Sequence, residues 1–345
     1  MSAGAFITGL AGPQVTADEK AFLRDADPWG LIVFKRNIEN QAQLHALTDS
    51  LRSIIGRDAP VLVDQEGGRV QRLGPPHWMA YPAGAVYGRL YDQAPEAGIA
   101  AARLGARLIA ADLVAVGIDV DCLPVADIPV PGADQVIGDR AYGDTPKKVA
   151  AIAGAIAEGL LEGGVLPVLK HIPGHGRATA DSHLHLPVVA ADRETLEATD
   201  FAPFRALSGL PVAMTAHIVF TALDPLAPVT TSAVMIEVIR QGIGFDGLLM
   251  SDDISMGALT GTIEERTRAA FAAGCDVVLH CNGRLDEMRA VADAAPRLTG
   301  TAARRAAVAL AARRVPAALD LPAARAAFAE LITKGRAPTP GMVSK

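Results

Sequence analysis

Eight short apolar runs recur along the chain, and most are followed by a segment long enough for a helix. The runs lie at Ala5 to Thr8, Leu31 to Phe34, Val61 to Val63, Ile118 to Leu123, Leu166 to Leu169, Val212 to Thr215, Leu248 to Met250 and Val277 to Leu279. Apolar runs without polar alternation suit strands buried on both faces, and helical connections between such strands lead to parallel pairing. Helix starts are signalled by Thr16 before ADEKAFLRDA, Asn40 before QAQLHALTDSLRSII, Thr145 with Pro146 in the first turn, Asp192 before RETLEATDFAPFRAL, and Thr262 before IEERTRAAFAAG. Eight strands so connected predict a closed (β/α)8 barrel. A doubly wound open sheet is the competing arrangement, but the Gly-x-Gly-x-x-Gly expected after its first strand is absent, and the chain reads GLAGPQ from Gly9. Helical segments from Thr301 and Pro322 are expected to pack on the outside of the barrel. The spacing therefore predicts an α/β fold with one catalytic barrel domain over residues 1–335, C-terminal helices included, and a flexible tail over 336–345.

Composition narrows the function. Hydrophobic residues make up 50% of 345 positions, ample for a core, whereas aromatics at 4% supply few platforms for stacked bases. A net charge of -6 argues against a general binder of phosphate backbones. The three cysteines, Cys122, Cys275 and Cys281, lack disulfide spacing, and Cys122 and Cys275 read as core thiols of a reducing compartment. The N-terminus has no basic, then apolar, signal pattern, and no apolar run reaches the roughly 18 residues of a membrane span. A cytoplasmic enzyme acting on a small molecule is expected, with no nucleic-acid or membrane partner and as a monomer.

A barrel carries its chemistry at the C-terminal ends of its strands, so polar clusters should follow several apolar runs. They do. The third run leads into VDQEGGRVQRL, with Asp64, Glu66, Arg69 and Arg72; the fourth is followed by Asp127, Asp139 and Arg140. The sixth is followed by His217, and the seventh by Asp252 and Asp253. Most concentrated is the stretch after the fifth, VLKHIPGHGRATADSHLHLP, which holds Lys170, Arg177, Asp181 and half of the eight histidines: His171, His175, His183 and His185. Pro173, Gly174, Gly176 and Pro187 keep it from forming a regular helix. Lys170, Arg72 and Arg140 beside Asp64 suit a densely functionalised small molecule such as a sugar or a phosphate. The histidines raise the possibility of a metal, yet HExxH spacing is missing and Lys170 and Arg177 bring positive charge, so no metal and no cofactor is expected. The PGHGRAT segment lacks the Gly-Lys-Ser/Thr ending of a nucleotide-binding loop.

KHIPGHG with ADSH, VDQEGGRVQRL upstream, IGDRAYG between them and SDDISMGAL downstream resemble, in order across roughly residues 60–260, the β-N-acetylglucosaminidase branch of glycoside hydrolase family 3, enzymes of bacterial cell-wall recycling. Ile172 stands where many relatives carry Phe. The resemblance implies a barrel and a retaining mechanism that removes terminal β-linked N-acetylglucosamine from peptidoglycan fragments, the N-acetylglucosaminyl-anhydro-muramoyl peptides. It implies Asp252 as nucleophile, His183 as acid/base and Asp181 as its partner, with Asp64, Arg72, Arg140, Lys170 and His171 binding the sugar. The chain ends soon after the barrel, as in the single-domain members.

The residues support this assignment on their own terms. Retaining glycosidases normally use two carboxyl groups about 5 to 5.5 Å apart; a histidine, with an ordinary pKa of about 6.5, can carry the proton without a hydrophobic pocket to retune it. Asp181 can reach His183 only if the loop curls back. Side chains alternate along a strand, so only one of Asp252 and Asp253 can face the substrate, and spacing alone leaves open which. His217 and Met256 can each be pocket or core residues. Two alternatives remain: a β-glucosidase of the same fold, against which the ADSH loop argues, and a non-catalytic muropeptide-binding protein, against which the filled nucleophile and acid/base positions argue.

Overall fold

The computed structural model describes residues 2–335; the expected tail, 336–345, lies outside the described residues. The eight apolar runs form the eight strands of one closed, all-parallel barrel: β1 (Gly4–Thr8), β2 (Pro28–Val33), β3 (Val61–Val63), β4 (Val120–Asp121), β5 (Leu166–Ile172), β6 (Val212–Thr215), β7 (Leu248–Asp253) and β8 (Val277–His280). Each pairs with its neighbour in sequence, and β8 closes on β1 through the partners Phe6 and Val278, Ile7 and Leu279, and Thr8 and His280. The open doubly wound sheet is thereby excluded.

Alternation along the strands divides the apolar residues into two layers. Leu62, Val120, Cys122, Leu166, Val168, Val212, Met214, Leu248 and Met250 form the barrel interior, while Val61, Val63, Leu169, Ala213 and Leu249 belong to the layer beneath the helices. Extending the same period past the apolar runs sends Asp64, Lys170 and Asp252 inward, each two residues beyond an interior position. Two strands outrun their apolar stretches: β5 continues through Lys170 and His171, and β7 through Ser251 to Asp253.

Four of the five expected helix starts carry a side-chain cap, whereas Thr145 accepts no capping bond and its helix opens with Pro146 in the first turn. Thr16 and Glu19 form a reciprocal capping box, as do Thr262 and Glu265, and Asn40 and Asp192 accept from the amides of Gln43 and Thr195. The segment after Asp192 differs from expectation. It breaks into Arg193–Ala198 and Ala202–Ala206, because Pro203 has no amide to donate and its ring collides with a preceding carbonyl. Helices Gly84–Gln93 and Pro95–Val114 escaped the sequence reading, since Ala83 and Ala94 at their starts supply no side-chain cap.

The C-terminal helices take two different places, not both outside. Helix Leu321–Gly335 lies on the exterior, with Phe328 packed 6.3 Å from Tyr81. Helix Gly300–Ala311 adds Ala306 and Ala309, beside Leu298, to the interior cluster, and Arg305 pairs with Asp276 just before β8. That helix closes the N-terminal mouth; its small alanines are what let it approach the strand ends. No helix among the described residues is long and apolar enough to cross a membrane.

Candidate active site

At the C-terminal end of the barrel a cavity of about 590 Å³ is lined by all eight residues singled out from the sequence: Asp64, Arg72, Arg140, Lys170, His171, Asp181, His183 and Asp252. Residues separated by nearly two hundred positions meet there. Phe34, Met214, Met256 and Leu279 give the cavity apolar patches, so Met256 is a lining residue.

Charge is organised around two carboxylates from the segment after β3. Lys170 Nζ lies 2.9 Å from Asp64 Oδ1 and 2.6 Å from Glu66 Oε1, while Arg72 reaches Asp64 Oδ2 at 3.1 Å. Arg140 grips Glu66 with two parallel bonds, both 2.8 Å, and donates its remaining terminal nitrogen to the Val136 carbonyl at 3.0 Å. Planar two-point contacts of this kind fix direction as well as distance. Burial disfavours the charge on Glu66, but Lys170 and Arg140 outweigh it and hold its pKa at about 2. Asp64 is likewise held well below the carboxylate range, burial being overcome by Lys170 and Arg72. In the sequence Glu66 stood as one of the polar residues expected at the rim after the third apolar run. It is a permanently ionised brace, and its neighbour pattern, two residues after Asp64 within one loop, is the signal that pointed to it.

His171 is held from below. Its Nδ1 lies 2.7 Å from Asp127 Oδ2, and Asp127 Oδ1 accepts the backbone amides of His171 and His175. Asp127 is fully buried and does not line the cavity. His175 and His183 line the same cavity, but the loop's histidines take different partners. His175 packs edge-on to His171 with its Nε2 3.0 Å from Ser182 Oγ, and burial together with His171 lowers its pKa to about 4. His185 is exposed and outside the cavity lining. Arg177 turns to Asp200 at 2.6 Å and Asp139 to Arg69 at 3.2 Å, so neither reaches the cavity. Among the described residues no three His, Cys, Asp or Glu converge in a way that could hold a metal ion.

Asp181 and His183 do meet. Asp181 Oδ1 accepts the His183 amide at 2.9 Å and lies 2.7 Å from His183 Nδ1. The turn is closed by Leu184 and His185 amides on the Asp181 carbonyl and latched to the segment after β7 by Gly257 and Ala258 amides, which donate to the His183 and Ser182 carbonyls. Only glycine fits at 257, where a Cβ would approach the Leu184 carbonyl oxygen to 2.8 Å. Asp181 is held below its ordinary pKa, partial burial being outweighed by the two His183 bonds.

The two adjacent aspartates after Ser251 have different surroundings. Asp252 follows the inward period of Leu248 and Met250; burial raises its pKa, but His217, His171, the Asp253 amide and His183 together keep it a carboxylate. Asp253 accepts from the Ser255 amide and hydroxyl and from the Cys281 amide, which ties β7 to the turn after β8. His217 is buried, bonded to Thr230 Oγ1 and the Asp253 carbonyl, and does not line the cavity. It is a core residue whose charge field reaches Asp252.

This constellation offers a fixed carboxylate on the cavity floor, an imidazole backed by a carboxylate at the rim, and an ionic cradle for hydroxyl groups between them. A family model described as the glycosyl hydrolase family 3 N terminal domain matches residues 5–317. A β-hexosaminidase of Alkalilimnicola ehrlichii is 40% identical over 287 residues, covering 82% of each chain, and one of Methylococcus capsulatus is 41% identical over 277 residues, covering 79% of this chain and 81% of its own. Among solved structures, NagZ from Neisseria gonorrhoeae in complex with N-trifluoroacetyl-D-glucosamine superposes with a TM-score of 0.83 at 34% identity, covering 97% of this chain and 98% of that one.

Proposed function

The chain belongs to glycosyl hydrolase family 3 and is an enzyme of its β-hexosaminidase group, and from that premise we propose that it removes terminal β-linked N-acetylglucosamine from peptidoglycan fragments with retention of configuration. The observation that carries this reading is the 2.7 Å contact of Asp181 with His183 at the rim of the cavity whose floor presents Asp252.

In the first step the Asp252 carboxylate attacks the anomeric carbon as the glycosidic bond breaks, and the His183 Nε2 proton passes to the departing oxygen. Asp181 accepts from Nδ1–H, which leaves Nε2 facing the bond and stabilises the imidazolium that supplies the proton. In the second step the neutral imidazole takes a proton from water, the water oxygen bonds to the anomeric carbon, and Asp252 leaves as a carboxylate. Asp64, with Arg72 and Lys170 on its two oxygens, and His171 bind the sugar hydroxyls, and Arg140 acts through Glu66 to keep that cradle in place. Each carboxylate in the cradle is ionised, so it accepts from hydroxyl donors without titrating across the working range.

The substrate in this reading is an N-acetylglucosaminyl-anhydro-muramoyl peptide, handled by a monomer in the cytoplasm; a related NagZ bound to N-trifluoroacetyl-D-glucosamine supports the amino-sugar part of it. The test is release of a chromophore from an aryl β-N-acetylglucosaminide beside the matching β-glucoside. Turnover of the first with little of the second is expected; turnover of the glucoside alone would make the chain a β-glucosidase of the same fold, and turnover of neither a binding protein.

A further inference from the structure

His175 lies in the same loop as His183 and lines the cavity, but belongs to neither the sugar cradle nor the proton-carrying pair. It is 2% exposed, and Nε2 has one partner, the Ser182 hydroxyl at 3.0 Å. Nδ1 is buried with no hydrogen-bond partner among the described residues. A buried N–H without an acceptor is among the rarest of unsatisfied groups, so the ring proton belongs on Nε2, donated to Ser182 Oγ. The Ser182 hydroxyl proton is then left for the cavity, which Ser182 lines.

Ser182 stands between Asp181 and His183 and is itself 2% exposed. Two anchors fix it: its hydroxyl on His175 and its carbonyl on the Ala258 amide, 3.2 Å away. His175 is in turn fixed by its own amide on Asp127 Oδ1 at 2.7 Å, and the other oxygen of Asp127 holds His171 at 2.7 Å. A continuous path of hydrogen bonds thus runs from the sugar cradle to the turn that presents His183. The His183 side chain itself is 64% exposed and has one partner, Asp181, so packing does little to place it. Its position depends on the turn.

We propose that His175 is a positioning residue for the proton carrier, acting through Ser182 to set the turn on which Asp181 and His183 meet the glycosidic oxygen. This rests on the reading of His183 as acid/base. His175 cannot exchange roles with His183: although it borders the cavity it is 2% exposed with its Nε2 engaged by Ser182, and a histidine held at about pKa 4 is neutral in the working range.

The experiment compares His175→Phe, His175→Gln, Ser182→Ala and the double variant His175→Phe/Ser182→Ala on two aryl β-N-acetylglucosaminides, one with an unactivated phenol and one with dinitrophenol. Misplacing a catalytic group by about an ångström costs on the order of 10²-fold where that group is needed. Loss of about 10- to 100-fold in kcat on the phenyl substrate is expected for His175→Phe and Ser182→Ala, with little change in KM and little loss on the dinitrophenyl substrate. The double variant should be no worse than His175→Phe alone, and His175→Gln, whose amide N–H can still reach Ser182, should recover most of the activity. Should His175→Phe fail to fold, Ser182→Ala carries the same comparison. Equal losses on the two substrates, or additive losses in the double variant, would overturn the proposal. His183→Gly run in parallel separates the two claims: no leaving-group contrast there removes the proton-carrier reading and this inference with it, whereas a contrast there but none in Ser182→Ala removes this inference alone.

Discussion

Asp181 and His183, two residues apart in sequence, bring Oδ1 and Nδ1 to 2.7 Å because the Asp181 carboxylate also caps the His183 amide and closes the turn between them. On a helix an i, i+2 pair diverges, and on a strand the two side chains share a face but stand roughly 6 to 7 Å apart, too far for a direct hydrogen bond. The proposed proton carrier and its orienting carboxylate are therefore one local motif set by the turn between them.

That motif makes a sharp kinetic demand. General acid catalysis contributes roughly 10²- to 10⁴-fold where the departing oxygen is basic and little where it leaves unassisted. His183→Gly should slow the natural substrate by that factor yet retain bond cleavage of an activated phenol, with a burst of phenol before a slow steady rate that azide raises. Asp181→Ala should give a milder version of both effects. Equal loss on both substrates, with no burst and no azide response, would assign His183 to binding.

Glu66 makes a stability demand. It is braced by Lys170 at 2.6 Å and Arg140 at 2.8 Å with only 4% of its side chain exposed. Removing one partner from a buried ionic network costs about 3 to 5 kcal/mol, whereas an exposed, solvent-screened pair such as Arg284 with Asp286 contributes little. Glu66→Gln should therefore lower the denaturant midpoint far more than Asp286→Asn, and it should raise KM by loosening Lys170. Equal midpoints for the two variants would remove Glu66 from the cradle.

Stability should also fall on acidification in two windows. His175 has its folded pKa lowered from 6.5 to about 4, so its contribution is whole above pH 6.5 and lost as pH falls toward 4. Glu66 has its folded pKa lowered from 4.5 to about 2, so its contribution is whole above pH 4.5 and lost as pH falls toward 2. In both windows the unfolded chain binds more protons. Urea midpoints measured against pH should flatten between 6.5 and 4 in His175→Phe and between 4.5 and 2 in Glu66→Gln. Unchanged slopes would contradict the burial assigned to His175 and the pairing with Lys170 and Arg140 assigned to Glu66.

Turnover should survive a chelator, because proton transfer and nucleophilic attack are both assigned to side chains. Loss of activity in EDTA with recovery on zinc would reopen the metal reading.

The barrel and its rim were legible in the sequence because both follow from short-range rules. Apolar runs marked the strands, and Asp64, Lys170 and Asp252 sit where the inward period continues past them. The division of labour among the loop histidines was not legible. What each of His171, His175 and His183 does depends on Asp127, Ser182 and Asp181, partners up to 48 residues away. The role of Asp253 was hidden in the same way, since its bond to the Cys281 amide spans 28 residues. The closing of the barrel mouth by Gly300–Ala311 was missed because an alanine-rich helix carries the same pattern whether it lies on a barrel or under it.

The choice between the two adjacent aspartates is the centre of the account. Asp252→Ala should abolish turnover while the protein stays folded, whereas Asp253→Ala should lose its bonds to Ser255 and Cys281 and with them stability. The direct measurement is trapping of the wild-type enzyme with a 5-fluoro or 2-deoxy-2-fluoro glycosyl donor followed by peptide mapping. One sugar is expected on Asp252, and the label should be lost in Asp252→Ala. A label on Asp253, or full turnover with no glycosyl-enzyme trapped at either aspartate, would contradict the mechanism.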